Sequence, residues 1–175
     1  MGANHQMLAD VLRIILILAL MVFILSRKSS GIKEYDERQY LARSKAYRAA
    51  FWMLAGYFFL YAFLNDVCEI RWADLTTATF IGFFLALSVF AIICIITDSF
   101  FSFRDKPGQR FIFLPVLFAA NLLLFALNLA DGTSILTDGL LNFHSLNLVA
   151  AIAIIPIYIT LVFRYYHEKR QTEKE

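Results

Sequence analysis

Ionisable side chains inside long apolar runs are the residues of this chain best placed to do chemistry. Asp10 and Arg13 are three positions apart in the first apolar run, so on a helix they share one face. An ionised pair at membrane depth can serve a functional site, or it can pair internally and fix the depth of its helix. The second use is favoured, because the pair lies near an end of the run.

Amide and phenol groups recur on two other apolar runs. Asn121 and Asn128 are seven positions apart on the fourth run, and Tyr61 and Asn65 are four apart on the second. Such groups can line a cavity for a solute, or they can bond to neighbouring helices, a contact worth about 0.6–2 kcal/mol. Interhelical contact is favoured. With the ionised pair of the first run, these residues form a predicted intramembrane polar site.

Motifs for catalysis, cofactors and metals are absent from the sequence. It has no HExxH, GxSxG, P-loop or GxGxxG pattern. Cys68 and Cys94 do not form a CxxC motif, and the acidic residues and histidines lack ligand-like spacing. The sequence therefore favours a non-enzymatic protein and predicts no cofactor, no metal site and, with no base near a nucleophile, no catalytic residues.

The elements that carry these residues are predicted to be membrane helices. Hydrophobic residues make up 60% of the 175 residues and aromatic residues 16%, well above the content of soluble domains. The net charge of only +2 gives no indication of nucleic acid binding. We predict one all-α domain, an integral membrane bundle of five transmembrane helices. The predicted spans are 8–25, 46–65, 75–97, 111–130 and 146–163.

The distribution of lysine and arginine predicts the orientation of these spans. Seven fall between Arg27 and Arg48, three in the link 98–110 and four in the charged tail 164–175. The other two links together carry only one, Arg71. Because positive charge concentrates on cytoplasmic segments, the N-terminus is predicted outside and the C-terminus inside.

One charged segment, 34–48, is predicted to be a cytoplasmic helix continuous with the second span. Asp36 is the predicted N-cap, and Gln39 three residues later completes a capping-box pattern. Anionic lipid head groups would attract the basic residues but not the acidic ones beside them, so a protein partner is also considered. The residues predicted to dock lipid or a partner are Asp36, Glu37, Arg38, Gln39, Arg43, Lys45 and Arg48.

The stretch YDERQYLARSKAYRAAF resembles an element of uncharacterised small membrane proteins, most familiar from Gram-positive bacteria. In those proteins a DERQ…ARGKAY…AF pattern directly precedes a hydrophobic span. Ser44 stands here where the pattern usually has glycine, which favours a continuous helix. The resemblance implies a multi-pass protein of the bacterial cell (inner) membrane, and it implies no activity.

Two functional hypotheses follow. The first is a non-enzymatic membrane protein, an accessory subunit or small sensor, that acts through its charged cytoplasmic segment. Its expected partners are anionic head groups of the bilayer, a cytoplasmic or membrane protein, or further copies of itself. The alternative is a small permease or the substrate-binding component of a transporter, which would require the intramembrane polar residues to converge on one cavity.

Overall fold

The computed structural model describes residues 36–100 and 107–172. This part of the chain is mostly helical, and four of its helices are long and apolar enough to cross a membrane. The prediction of a mostly helical protein, with helices long and apolar enough to cross a membrane, is therefore confirmed. The first predicted span, 8–25, lies outside the described residues. The four helices are α1 (Glu37–Asp66), α2 (Leu75–Ile96), α3 (Pro107–Ala130) and α4 (Leu146–Thr172).

The ends of α2 follow from local sequence. Asp74 is the N-cap, and its carboxylate accepts a hydrogen bond of 2.7 Å from the backbone N–H of Thr77. The helix ends at Thr97, and Asp98 then takes a left-handed conformation with φ of +54°. Such a residue closes a helix by turning the chain away from the axis. The apolar run is thus bounded by polar residues at both ends.

The described helices pack in the order α1, α2, α4, α3. Close approach of α1 and α2 depends on small residues, because Ala78 and Gly82 of α2 are buried against α1. A Cβ atom at Gly82 would lie only 2.6 Å from Cε1 of Tyr57, so glycine makes room for that ring. The Tyr57 hydroxyl then donates a 2.8 Å hydrogen bond to the carbonyl of Ala78.

The apolar core lies among α2, α3 and α4. It contains buried residues from all three helices: Ala91, Ile95, Leu114, Ile154, Ile157 and Leu161. Ser88 of α2 joins this core to α4, because its hydroxyl lies 3.1 Å from the carbonyl oxygen of Ala153. Outside the core many large apolar side chains are exposed, such as Phe59 at 77% and Leu123 at 61%. Exposure of this kind is expected of surfaces that face lipid.

A short hairpin lies between α3 and α4. Strands β1 (Leu136–Thr137) and β2 (Leu140–Leu141) pair antiparallel around Asp138 and Gly139, both with positive φ. Two consecutive positive φ values match the type I′ turn, for which Asp-Gly is a preferred pair. The hairpin was not anticipated from the sequence, although Asp-Gly between apolar residues was a usable signal for it.

Candidate functional site

The charged half of α1 has one face turned into the protein. Gln39 and Ala46 are its two buried residues, and Arg43 and Ala50 on the same face are partly buried. Their spacing of four, three and four residues keeps them on one side of a helix. The amide nitrogen of Gln39 donates a 2.7 Å hydrogen bond to the backbone carbonyl of Asp98. Gln39 therefore joins α1 to the turn that ends α2.

The capping-box prediction for this segment is wrong in part. Asp36 has the extended backbone of an N-cap, with φ of −63° and ψ of 153°, but its side chain makes no capping hydrogen bond. Gln39 does not close a box at the helix start, because its amide reaches across to Asp98 instead. A contact with a residue 59 positions away has replaced a local one. Sequence spacing alone cannot reveal such a choice.

Asp98 connects three helices. Its backbone carbonyl accepts from Gln39 of α1, and its carboxylate accepts from the guanidinium of Arg164 of α4. The two distances to the carboxylate are 3.2 Å from Nε and 2.5 Å from Nη2, a fork geometry suited to arginine. Both partners of this ion pair are partly exposed. We name Gln39, Asp98 and Arg164 the three-helix junction.

The turn that presents Asp98 is itself well ordered by hydrogen bonds. The backbone N–H groups of Ser99 and Phe100 both donate to the carbonyl of Cys94, at 2.8 and 3.0 Å. Ser99 is fully buried, and its hydroxyl lies 3.0 Å from that of Thr97. These bonds satisfy the Cys94 carbonyl at the end of α2, which would otherwise be unpaired. The turn that carries Asp98 is therefore held by hydrogen bonds on the side that follows it as well as by the ion pair.

The junction has one unused acceptor within the described residues. The carbonyl oxygen of the Gln39 side chain is buried and receives no hydrogen bond there. Gln39 as a whole is only 6% exposed. A buried acceptor left unpaired costs about 1–3 kcal/mol. The segment therefore places a polar side chain in its buried face at a cost in stability.

The opposite face of the segment carries the remaining charges. Asp36, Glu37, Arg38, Lys45 and Arg48 are exposed. The structure thus divides the seven residues predicted for docking. Gln39 and Arg43 belong to the face against α2, and the other five are turned outward. Only those five are available to a molecule that approaches from outside.

The residues predicted to form an intramembrane polar site are not brought together in the described part of the chain. Tyr61 donates to the carbonyl of Ala73 at 3.4 Å, and Asn65 bonds to the adjacent Asp66 at 2.5 Å. Asn121 donates to the carbonyl of Leu117 in its own helix at 2.8 Å.

The helices that carry these residues are far apart in the packing order. Asn121 and Asn128 lie on α3, whereas Tyr61 and Asn65 lie on α1, at the other end of the order. Asn128 accepts through its backbone carbonyl, from both the N–H and the hydroxyl of Thr133. Asp10 and Arg13 lie outside the described residues.

At the end of the helices opposite the junction, the hairpin is joined to residues 72–74 mainly by backbone hydrogen bonds. Leu141 of the hairpin donates to the carbonyl of Trp72 at 3.0 Å and accepts from the N–H of Asp74 at 2.9 Å. The Tyr61 ring stacks on Tyr57 and meets Trp72 edge-on. We name the hairpin with residues 72–74 the backbone cap. It was missed by sequence reasoning.

Metal-binding and redox chemistry find no support in the described residues. They contain no group of three or more His, Cys, Asp or Glu side chains that could hold a metal ion. Cys68 is exposed and Cys94 buried, and both are free thiols. The two lie near opposite ends of α2, so they are too far apart for a disulfide.

Comparison with known proteins gives no match. No protein-family model, no curated protein and no solved structure matches this chain.

Proposed function

We propose that this chain is a non-enzymatic, multi-pass membrane protein that acts through a protein partner, as an accessory subunit or small sensor. We place it in a bacterial cell membrane, with five spans, an external N-terminus and a cytoplasmic C-terminus. The partner docks at the exposed start of α1, around Asp36, Glu37 and Arg38.

One observation carries this proposal: the charged segment has one face packed against the protein and another that is exposed. Its inner face is held by the Gln39–Asp98 hydrogen bond and by the buried Ala46. Its outer face leaves both acidic and basic side chains exposed. Acidic residues are not selected by anionic lipid, whereas a partner helix with alternating charge can pair with both signs.

The same geometry favours this proposal over a permease. A permease would need its intramembrane polar groups to meet in one cavity. In the described part of the chain those groups lie on α1 and α3, and several are bonded within their own helix or to an adjacent residue. Such hydrogen bonds satisfy polar groups locally, as is common for polar side chains in an apolar environment.

Co-purification of the full chain in mild detergent tests the proposal. The variant E37K/R38E exchanges the two charges and keeps the number of basic residues, so orientation is expected to be unchanged. We expect it to lose a partner that the unmodified protein retains. The matched control is E69K/R71E, the same exchange between two exposed residues at the other end of the protein. It is expected to retain the partner.

Two results would refute the proposal. One is recovery of the same protein from the unmodified chain and from E37K/R38E. The other is recovery of only a monomer or a self-oligomer under every mild condition. Loss of the partner in both variants would also count against it, because the effect would then not be specific to the start of α1.

A further inference from the structure

The register between α1 and α2 sets the depth of each charged residue of α1. Gln39 bonds to Asp98, and the ring of Tyr47 lies 4.5 Å from that of Phe90. From Gln39 to Tyr47 the chain advances eight residues along α1, and from Asp98 to Phe90 it goes back eight residues along α2. Residues at the same level in the two helices therefore have numbers that sum to 137. By the same register, Lys45 and Arg48 are level with residues 92 and 89 of α2.

This level lies inside the apolar length of α2. The helix has 22 residues, or about 33 Å, close to the thickness of a hydrocarbon core. Residues 89–92 are four to seven positions from its last residue, which is roughly 6–10 Å. Lys45 and Arg48 therefore lie at the same depth as the last apolar turns of α2, and not beyond the end of that helix. Long basic side chains at such a depth reach toward the head groups.

Lys45 and Arg48 also lie on the face of α1 opposite α2. They form one stripe with Leu41 and Trp52, which are 66% and 67% exposed. Each residue of this stripe follows a residue of the inner face by two positions. Two positions correspond to a rotation of about 200° around the helix axis. The stripe thus places two cations between two exposed apolar side chains. We name Leu41, Lys45, Arg48 and Trp52 the basic stripe.

We propose that the basic stripe binds the head group of an anionic phospholipid in the adjacent leaflet. Lys45 and Arg48 contact the phosphate, and Leu41 covers the site on the side nearer the start of α1. Basic residues near an anionic surface each favour binding. The inference goes beyond the proposed function, since it concerns other residues and another class of ligand.

Charge and depth favour lipid over protein as the occupant of this stripe. Its two charges are both positive, whereas the acidic residues Asp36 and Glu37 come about two turns earlier. Along α1, charges of both signs lie close together at the start of the helix. A surface that is uniformly basic and lies beside apolar helix turns is complementary to the anionic head groups of a leaflet.

Lipid retention by the purified full chain tests this inference. The protein is taken from vesicles with equal amounts of phosphatidylglycerol and phosphatidylcholine, and bound lipid is counted by native mass spectrometry. We expect the unmodified protein to prefer phosphatidylglycerol. Relative to it, K45Q/R48Q should lower that preference about thirtyfold, and either single change about fivefold.

Two control variants separate charge from location. K45R/R48K keeps both charges and should keep the preference. K169Q/R170Q removes two charges from the end of α4, further along the helix than Arg164, and should also keep it. If the double variant K45Q/R48Q fails to accumulate, the single variants decide the result.

Three outcomes would overturn the inference. They are equal retention of the two lipids by the unmodified protein, an unchanged preference in K45Q/R48Q, and an equal loss in K169Q/R170Q. A protein that binds the unmodified chain and is lost in K45Q/R48Q, without any lipid preference, would assign the stripe to a protein instead. The charge exchange at Glu37 and Arg38 has its own readout, so the two proposals can fail separately.

Discussion

The two ends of the described helices are joined by different kinds of hydrogen bond. At the backbone cap, strand residues and the segment 72–74 bond main chain to main chain. At the three-helix junction, the side chains of Gln39 and Arg164 reach one residue, Asp98. Main-chain bonds depend little on residue type, whereas the junction requires particular side chains. The cap therefore tolerates substitution of its residues more readily than the junction does.

This difference also separates the roles of the residues around each end. At the cap, Asp74 and Asn142 use their side chains to bond nearby backbone N–H groups. At the junction, the charged residues of α1 that are not needed for packing remain exposed. The junction thus holds the inner face of a segment whose other charged residues are exposed.

The largest expected effect comes from Gly82, which lies between the two ends. Replacement by leucine places a side chain where the Tyr57 ring now lies, and we expect a loss of about 3 kcal/mol in the free energy of unfolding. Because the ring separates α1 from α2, both ends should loosen. Denaturation in mixed micelles measures the loss, and hydrogen exchange locates it.

Gly56 provides a matched control for this change, because a Cβ there meets no atom within 4 Å. G56A should shift the free energy of unfolding by less than about 1 kcal/mol, since glycine in a helix is less favourable than alanine. If G82L loosens only one end, the other end does not depend on the spacing between α1 and α2, and the expectation is wrong.

A smaller effect is expected from Gly139, in the hairpin turn of the backbone cap. Its φ of +78° is strained for a β-branched residue, so G139V should cost about 1–2 kcal/mol. Hydrogen exchange should increase at Leu141 and Asp74 and stay unchanged at Ser99 and Phe100. Equal exchange at both groups of residues would contradict the division between cap and junction.

The smallest effect is expected from the ion pair of the junction. D98N removes the charge that Arg164 contacts and keeps the backbone carbonyl that Gln39 contacts. Asparagine tolerates the left-handed conformation, and exposed ion pairs contribute about 0–1 kcal/mol, so we expect a loss below about 1 kcal/mol. Thermal unfolding in detergent measures it. A loss of several kcal/mol would mean that the ion pair, and not the helix end, positions Asp98.

The helical class was predictable because long apolar runs bounded by polar residues have few alternatives in a chain of this composition. The start of α1 near Asp36 was predictable from residue type, since aspartate is a preferred N-cap. The hydrogen bond between Gln39 and Asp98 was not. It joins residues 59 positions apart, and it depends on the register of two helices that side-chain packing sets.

The division of the charged segment was hidden for a related reason. Helical spacing shows that Gln39, Arg43 and Ala46 share a face, but it does not show which face meets α2. That choice depends on Gly82 and Ala78, which lie in another helix and admit the Tyr57 ring. The polar residues of α1 and α3 could likewise be found from sequence, whereas their separation depends on the packing order of the helices.

The contacts of α1 at Gln39 and at Tyr57 constrain how this chain can evolve. Insertion of one residue between them would rotate one contact relative to the other by about 100°, so both contacts could not be kept. We therefore expect relatives to conserve the number of residues in this interval more strictly than their identities on the outer face. The spacing between Gln39 and Tyr57 is therefore constrained as a whole, while the exposed residues between them are free to change.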